Sequence, residues 1–151
     1  MRITDAGLGD VQQMSDFLKE LTASGKRRSP DDPEFVRRHY IEDAAKIRCS
    51  AARAGDEVLG FQSIKHAVPG NQWGVEQGWA IIGTHIRPSA ARRGIGRALF
   101  AVNLAAAREA SVTHIDASIA ADNLEALAFY EAMGFRTYRT SDELISKVYA
   151  L

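Results

Sequence analysis

Apolar residues at Leu8, Val11, Met14, Leu18 and Leu21 repeat at helical spacing and predict one amphipathic helix near the start of the chain. It ends at Ser24-Gly25, where glycine takes the left-handed conformation that closes many helices. The short apolar run before it, residues 1–4, reads as a strand. A second, shorter helix opens at Asp31-Asp32-Pro33-Glu34: Asp32 caps it, Pro33 suits the first helical position, and Glu34 sits well in the first turn. Phe35, Val36, His39 and Tyr40 give this helix a buried side, with His39 packed rather than catalytic. Capping accounts for the acids at 31, 32 and 34 without a cationic substrate. Between the two helices lies a basic stretch, Lys26-Arg27-Arg28-Ser29-Pro30, read as a solvated connection, with a substrate-side loop as the alternative.

Residues 46–54 and 58–68 are strands joined by Gly55-Asp56-Glu57, an antiparallel hairpin. Residues 69–78 are a loop rich in glycine that carries Trp73 and Glu76. The nearly continuous apolar run 79–86 predicts a strand covered on both faces, hence central. From Ile95 to Ala110, apolar residues at 95, 98, 99, 102, 105 and 106 mark a helix. Residues 113–119 then alternate as a strand. Strand, helix and strand form a crossover, so strands 79–86 and 113–119 run parallel. Asp122 and Glu125 read as a capping box, with Leu124, Leu127, Ala128 and Phe129 facing inward and Gly134 ending the helix. Residues 135–140 and 144–149 close the sheet as a second hairpin. The sum is an α/β sandwich with a mixed sheet.

Composition narrows the class. One domain is the simplest reading of 151 residues, with 46% hydrophobic and 25% charged. Lys+Arg and Asp+Glu are 19 each, so no global field favours nucleic acid or a membrane surface. The single cysteine, Cys49, excludes an internal disulfide and sits in an apolar run as a small buried residue. The first residues lack a signal-peptide apolar region and no long uncharged apolar run follows, so a cytoplasmic location is expected.

Candidate chemistry concentrates at Ala91-Arg92-Arg93-Gly94-Ile95-Gly96-Arg97, between the central strand and its helix. Glycines there let the backbone approach a ligand closely. The first helical turn offers unpaired N–H groups at the positive end of the dipole, a seat for phosphate, and three arginines add charge. Two known phosphate loops fail on residue identity. A dinucleotide fingerprint needs glycine where Leu99 stands, and a P-loop needs Gly-Lys-Ser/Thr where the chain has Gly96-Arg97-Ala98.

This loop, together with Ala-Asp-Asn-Leu-Glu-Ala-Leu-Ala-Phe-Tyr-Glu-Ala-Met-Gly-Phe at 121–135, resembles the GCN5-related N-acetyltransferases (GNAT). Element order fits as well, so the resemblance covers nearly the whole chain. It implies a largely antiparallel mixed sheet with a central, splayed parallel strand pair flanked by helices. It further implies acetyl-CoA as cosubstrate, with no metal. By position, main-chain amides of Ala91, Arg92, Arg93, Gly94, Ile95, Gly96 and Arg97 would bind the pyrophosphate. Backbone groups around Thr84, His85 and Ile86 would meet the pantetheine arm. Asn123 would bond the cofactor, and Tyr130 would protonate the leaving thiolate. Two departures stand out. Ala91 replaces the usual Gln or Arg while Arg92 replaces a common glycine, and strand 79–86 holds no carboxylate where relatives place a general base.

The expected reaction is direct transfer of acetyl to a primary amine. The amine must be neutral to attack, so a base or a water chain must take its proton; His85 and Glu76 are the nearest candidates. A strand amide near Ile86 is the natural donor to the tetrahedral oxygen. A thiol pKa of about 8.5 makes the leaving thiolate a taker for a proton from Tyr130. Three readings compete: a small-molecule amine acetyltransferase, a protein lysine or N-terminal acetyltransferase, and a non-catalytic acyl-CoA-binding module. A small-molecule acceptor is the partner expected, a homodimer is left open, and residues 22–40 and 68–78 should carry acceptor choice.

Overall fold

A computed structural model describes all 151 residues. The chain begins with β1 (Arg2–Asp5), a short 3₁₀ turn (Leu8–Asp10) and α1 (Val11–Ala23). α1 stops where the sequence says it should: Gly25 has φ +81°, and the Lys26 and Gly25 amides donate back to the Leu21 and Thr22 carbonyls. α2 (Pro33–Val36) is capped by Asp32, whose Oδ2 accepts from the Phe35 amide at 3.1 Å. It continues into a wider turn, Arg37–Ile41, in which the Glu42 amide reaches back five residues to Arg37.

Then come β2 (Lys46–Ala54), β3 (Glu57–His66), β4 (Ala80–Ile86), α3 (Ile95–Glu109), β5 (His114–Ala120), α4 (Leu124–Met133), β6 (Arg136–Thr140) and β7 (Leu144–Ala150). They form one seven-stranded sheet in the order β1-β2-β3-β4-β5-β7-β6. Every neighbouring pair is antiparallel except β4 and β5. The central position and parallel partner expected of residues 79–86 are both present, although Trp79 itself lies just before the strand.

One face of the sheet packs Met14, Phe17, Leu18, Val36 and Tyr40 of the front helices onto Cys49, Ala51 and Phe61. The other buries Ile64, Ile82, Ile115, Ala117 and Ile119 under Phe100, Tyr130 and Phe135. No helix is long and apolar enough to cross a membrane.

Three sequence expectations are corrected here. The buried side of α3 is Ile95, Gly96, Leu99, Phe100, Asn103 and Ala107, rotated away from the stripe read through 98, 102 and 105. Asn103 is fully buried because Gln62 and Ser50 satisfy it, so counting only apolar positions misplaces the centre of the face. At α4 the cap is Asn123, not Asp122: Asn123 Oδ1 accepts from the Ala126 amide at 3.1 Å, while Asp122 pairs with Arg28. On the same helix Leu124 and Ala128 are exposed, and the side chain it drives fully inward is Tyr130.

Candidate active site

β4 and β5 touch over two residue pairs only, Ala80 with Ile115 and Ile81 with Asp116, and then diverge. Their divergence opens a cleft of about 1000 Å³ at the carboxyl ends of the parallel strands. Crevices at that end of a parallel pair are where α/β proteins bind ligands. β4 contributes an open edge to it. Antiparallel pairing makes every second residue face its partner. The Arg87 amide bonds Leu59 O and the Ala67 amide bonds Trp79 O, so with this register the odd residues 79 to 87 point their main-chain groups at β3. Ile82, Thr84 and Ile86 point theirs into the cleft. This corrects the expectation for His85, whose main chain belongs to the ladder with Phe61.

At one end of the cleft lies the glycine-arginine turn. Six consecutive amides, from Arg92 to Arg97, donate to no group within the protein. Gly94 is the N-cap at φ +76° and offers no side-chain cap. Arg92 is also left-handed, at φ 63°, a conformation that most side chains avoid. The two glycines have different duties. Gly94 supplies the turn. Gly96 is buried under α4, where a Cβ would stand 2.7 Å from the Phe129 ring, so its small size serves helix packing rather than a ligand. Ala91, Arg92, Gly94, Ile95, Gly96 and Arg97 line the cleft. Arg93 does not; it folds back onto the Ser89 carbonyl at 3.1 Å.

Tyr130 crosses the middle. It is buried, with Oη 2.9 Å from Thr84 Oγ1. Burial pushes its phenol up to about 12, against the pull of the Thr84 hydroxyl and main chain. Behind Thr84 runs a chain of buried amides and hydroxyls that the sequence reading missed. Ser50 Oγ donates to Asn103 Oδ1 (2.8 Å), Asn103 Nδ2 to Gln62 Oε1 (3.0 Å), and Gln62 Nε2 to Thr84 Oγ1 (2.9 Å). The available signal was polar residues at core-facing positions, Asn103 one helical repeat after Leu99 and Gln62 within an apolar strand. Asn123 also lines the cleft; its Oδ1 is spent on the cap, which leaves its amide nitrogen for a ligand.

The far side of the cleft is built from the front helices. Phe35, His39, Tyr40 and Lys65 line it, together with Gln72 and Trp73 of the 69–78 loop. The basic stretch is not simply solvated: Arg27 is buried beside Tyr40 and His85. His85 rests over Phe61, ring centroids 4.9 Å apart. Burial first, and then the Arg27 and His39 charges, hold its imidazole well below the ordinary histidine range. Its Nδ1 faces Arg27 Nη1 at 3.4 Å and its Nε2 faces the Tyr40 hydroxyl at 3.4 Å. Arginine only donates, so Nδ1 is the acceptor and Nε2 carries the proton. Neither nitrogen has a lone pair directed into the cleft. His39 stacks on Phe35 and is lowered to about 4, chiefly by burial and then by Lys65. Glu76 is exposed and is not part of the cleft wall. Cys49 is buried, its thiol raised to about 12 by desolvation, which agrees with a packing role.

A splayed parallel pair, a bare helix start facing its open edge, and a tyrosine between them define an acyl-transfer scaffold. The family model described as Acetyltransferase (GNAT) family matches residues 13–135, and the chain belongs to that family of acyltransferases. Solved structures agree over nearly the full chain. A GCN5-related N-acetyltransferase from Kribbella flavida gives a TM-score of 0.84 at 20% identity, covering 99% of this chain and 97% of that one. The ribosomal-protein-alanine N-acetyltransferase of Brucella melitensis gives 0.79 at 18% identity, with both chains covered completely. The yncA protein of Salmonella typhimurium, solved with its cofactor acetyl-CoA, gives 0.80 at 14% identity, covering 100% and 94%. At these identities the likeness establishes the fold. No curated protein matches the sequence.

Proposed function

We propose that the protein transfers an acetyl group from acetyl-CoA to the primary amine of a small molecule by direct attack. The observation that carries this reading is the run of six unpaired amides, Arg92 to Arg97, opening onto the unpaired edge of β4. The fit is chemical. Main-chain N–H groups at a helix start suit a diphosphate, the Arg92 and Arg97 side chains add charge beside them, and the strand edge offers amide donors and acceptors to a pantetheine arm. Acetyl-CoA would supply an activated acyl carbonyl and a thiolate leaving group.

The chain's own residues divide the remaining work. An edge amide of β4, that of Ile86 foremost, is available to a developing oxyanion. Tyr130 donates a hydrogen bond to the departing sulfur. A phenol near 12 keeps its proton at working pH, and full transfer to a thiolate whose acid has a pKa of about 8.5 would run uphill, so a strong hydrogen bond is the economical role. With Glu76 in solvent and His85 engaged on both nitrogens, the amine's proton leaves through water.

A small acceptor is favoured over a peptide by two ion pairs that tie the 26–30 loop to the start of α4 across the cleft. Arg28 Nη2 lies 2.7 Å from Asp122 Oδ2, and Lys26 Nζ lies 3.5 Å from Glu125 Oε2. They narrow the approach to the acceptor side. The test is calorimetry with coenzyme A and acetyl-CoA, followed by a thiol-release screen of small amines beside peptides with free N-termini or lysines. Micromolar uptake of acetyl-CoA and turnover of small amines are expected. No uptake of any acyl-CoA overturns the reading, and turnover of peptides alone overturns the acceptor class.

A further inference from the structure

Arg27 is only 9% exposed, lines the cleft, and has no carboxylate partner. None of the protein's ion pairs includes it. Its guanidinium is held by neutral groups alone. Nε and Nη2 donate to the Pro30 carbonyl at 3.2 and 2.7 Å, Nη2 donates to Tyr40 Oη at 3.1 Å, and Nη1 donates to His85 Nδ1 at 3.4 Å. A buried charge without a counter-ion is costly. The acids of the cleft wall do not relieve it: Asp122 and Glu125 pair with Arg28 and Lys26, and Glu143 lies on the β6–β7 turn. Of the other cations on the cleft wall, Lys65 is already neutralised by Asp43 at 2.8 Å, and Arg92 and Arg97 are exposed to solvent.

The proton inventory shows what is left over. With Nδ1 of His85 accepting from Arg27, its Nε2–H points to Tyr40 Oη. Tyr40 Oη therefore accepts from both Arg27 and His85, and its own proton has no acceptor in the protein. One Nη1–H of Arg27 is free as well. Two donors, one of them cationic, sit side by side on the acceptor side of β4, with no anion between them. His85 follows Thr84 directly along β4, so a group held there lies on the opposite face of the strand from the Thr84–Tyr130 contact and about one residue's rise, roughly 3.3 Å, further along it.

We infer that the acceptor is a small amine that also bears a carboxylate, in the manner of an amino acid, and that Arg27 Nη1 and Tyr40 Oη anchor this carboxylate. Phe35, under the guanidinium at 6.0 Å, gives the rest of the molecule an apolar wall. The inference rests on the acyl-transfer reading for the fate of the amine, but the anchor is a binding claim that can be measured by itself.

The experiment pairs each common amino acid with its decarboxylated amine. Saturation-transfer NMR on the coenzyme A-saturated protein measures binding, and thiol release with acetyl-CoA measures turnover. The wild type is expected to favour carboxylate-bearing members at least ten-fold, and Arg27→Gln to erase that preference, with Arg27→Lys restoring part of it. Tyr40→Phe, which removes the free hydroxyl donor and keeps the ring, is expected to lower the preference several-fold and stands in if Arg27→Gln does not fold. Equal binding of both members of each pair by the wild type, or an unchanged preference in Tyr40→Phe and Arg27→Gln, overturns the anchor. Carboxylate binding without acetyl-CoA uptake would sink the acyl-transfer reading and leave the anchor standing.

Discussion

Tyr130 and Thr84 meet across the open edge of the central strand, oxygen to oxygen at 2.9 Å. This contact fixes the phenol where β4 and β5 part, and it places a proton donor beside the unpaired main chain of the strand. Replacing Tyr130 with Phe keeps the ring packing against Phe129 and Phe135 and removes only the hydroxyl. The kcat of the acetyl transfer should fall about 100-fold, with acetyl-CoA affinity by calorimetry changed less than three-fold. Wild-type turnover in the variant would remove Tyr130 from the chemistry.

Asn103 holds the far end of the same chain of hydrogen bonds. In Asn103→Leu, the Gln62 side-chain and main-chain oxygens and the Ser50 hydroxyl each lose a buried partner. Leaving such groups unpaired costs about 1–3 kcal/mol each, so urea denaturation should report a loss of at least about 2 kcal/mol. Because Gln62 orients Thr84, kcat should fall as well, though less than in Tyr130→Phe. An unchanged unfolding midpoint would show that this network carries no stability.

The glycine-arginine turn gives a stability test of opposite sign at two nearby positions. Arg92 is left-handed at φ 63° with a side chain that has no reason in its backbone to be there. Arg92→Gly relieves about 1 kcal/mol of strain and should raise Tm. Gly94→Ala introduces the same strain at φ +76° and should lower it. If amides rather than side chains do the gripping, Arg92→Gly weakens coenzyme A binding less than ten-fold. A larger loss by calorimetry would assign the grip to the arginine.

Two histidines make stability depend on pH. Burial holds the His39 imidazole at about 4 and His85 well below its ordinary value, against the ordinary histidine value of about 6.5 in the unfolded chain. The unfolded chain therefore binds more protons than the folded one below about 6.5. Their contribution is fully present above that pH and is lost as pH falls towards about 4. Chemical denaturation between pH 7 and pH 4.5 should show falling stability, and His85→Gln should flatten the slope. A flat wild-type profile over that window would contradict the burial of both rings.

The ties across the acceptor side are exposed and individually weak, in the range of 0–1 kcal/mol. Arg28→Ala should leave Tm within about 2 °C while raising the KM of the small acceptor. Unaltered KM for the amine would mean that the 26–30 loop does not border the acceptor route.

Much of this molecule was legible in its sequence, because its local signals agree with each other. Asp32 caps and Gly25 closes the front helices, and the hairpin glycine at 55 and the helix stop at Gly134 both act as read. The apolar run before the glycine-arginine turn made β4 central, and the crossover length made β5 parallel to it. The glycine-arginine turn depends on main-chain geometry at one helix start, so neighbouring residues were enough to mark it as a strand-to-helix turn.

What the chain order could not decide was anything that depends on elements far apart in sequence meeting. Register alone determined that Thr84 rather than His85 turns its main chain into the cleft, since a shift of one residue exchanges the two. Gly96 reads as a ligand-facing glycine until Phe129 of α4 is found lying on it. Arg27 reads as a solvated loop charge until Tyr40 and His85 close around it. Local pattern reports propensity and burial, which short stretches of chain carry by themselves. Whether a polar group has a partner is a property of the packed whole: only the tertiary structure shows that the Arg92 to Arg97 amides stay unpaired and that the Arg27 guanidinium is buried among neutral groups alone.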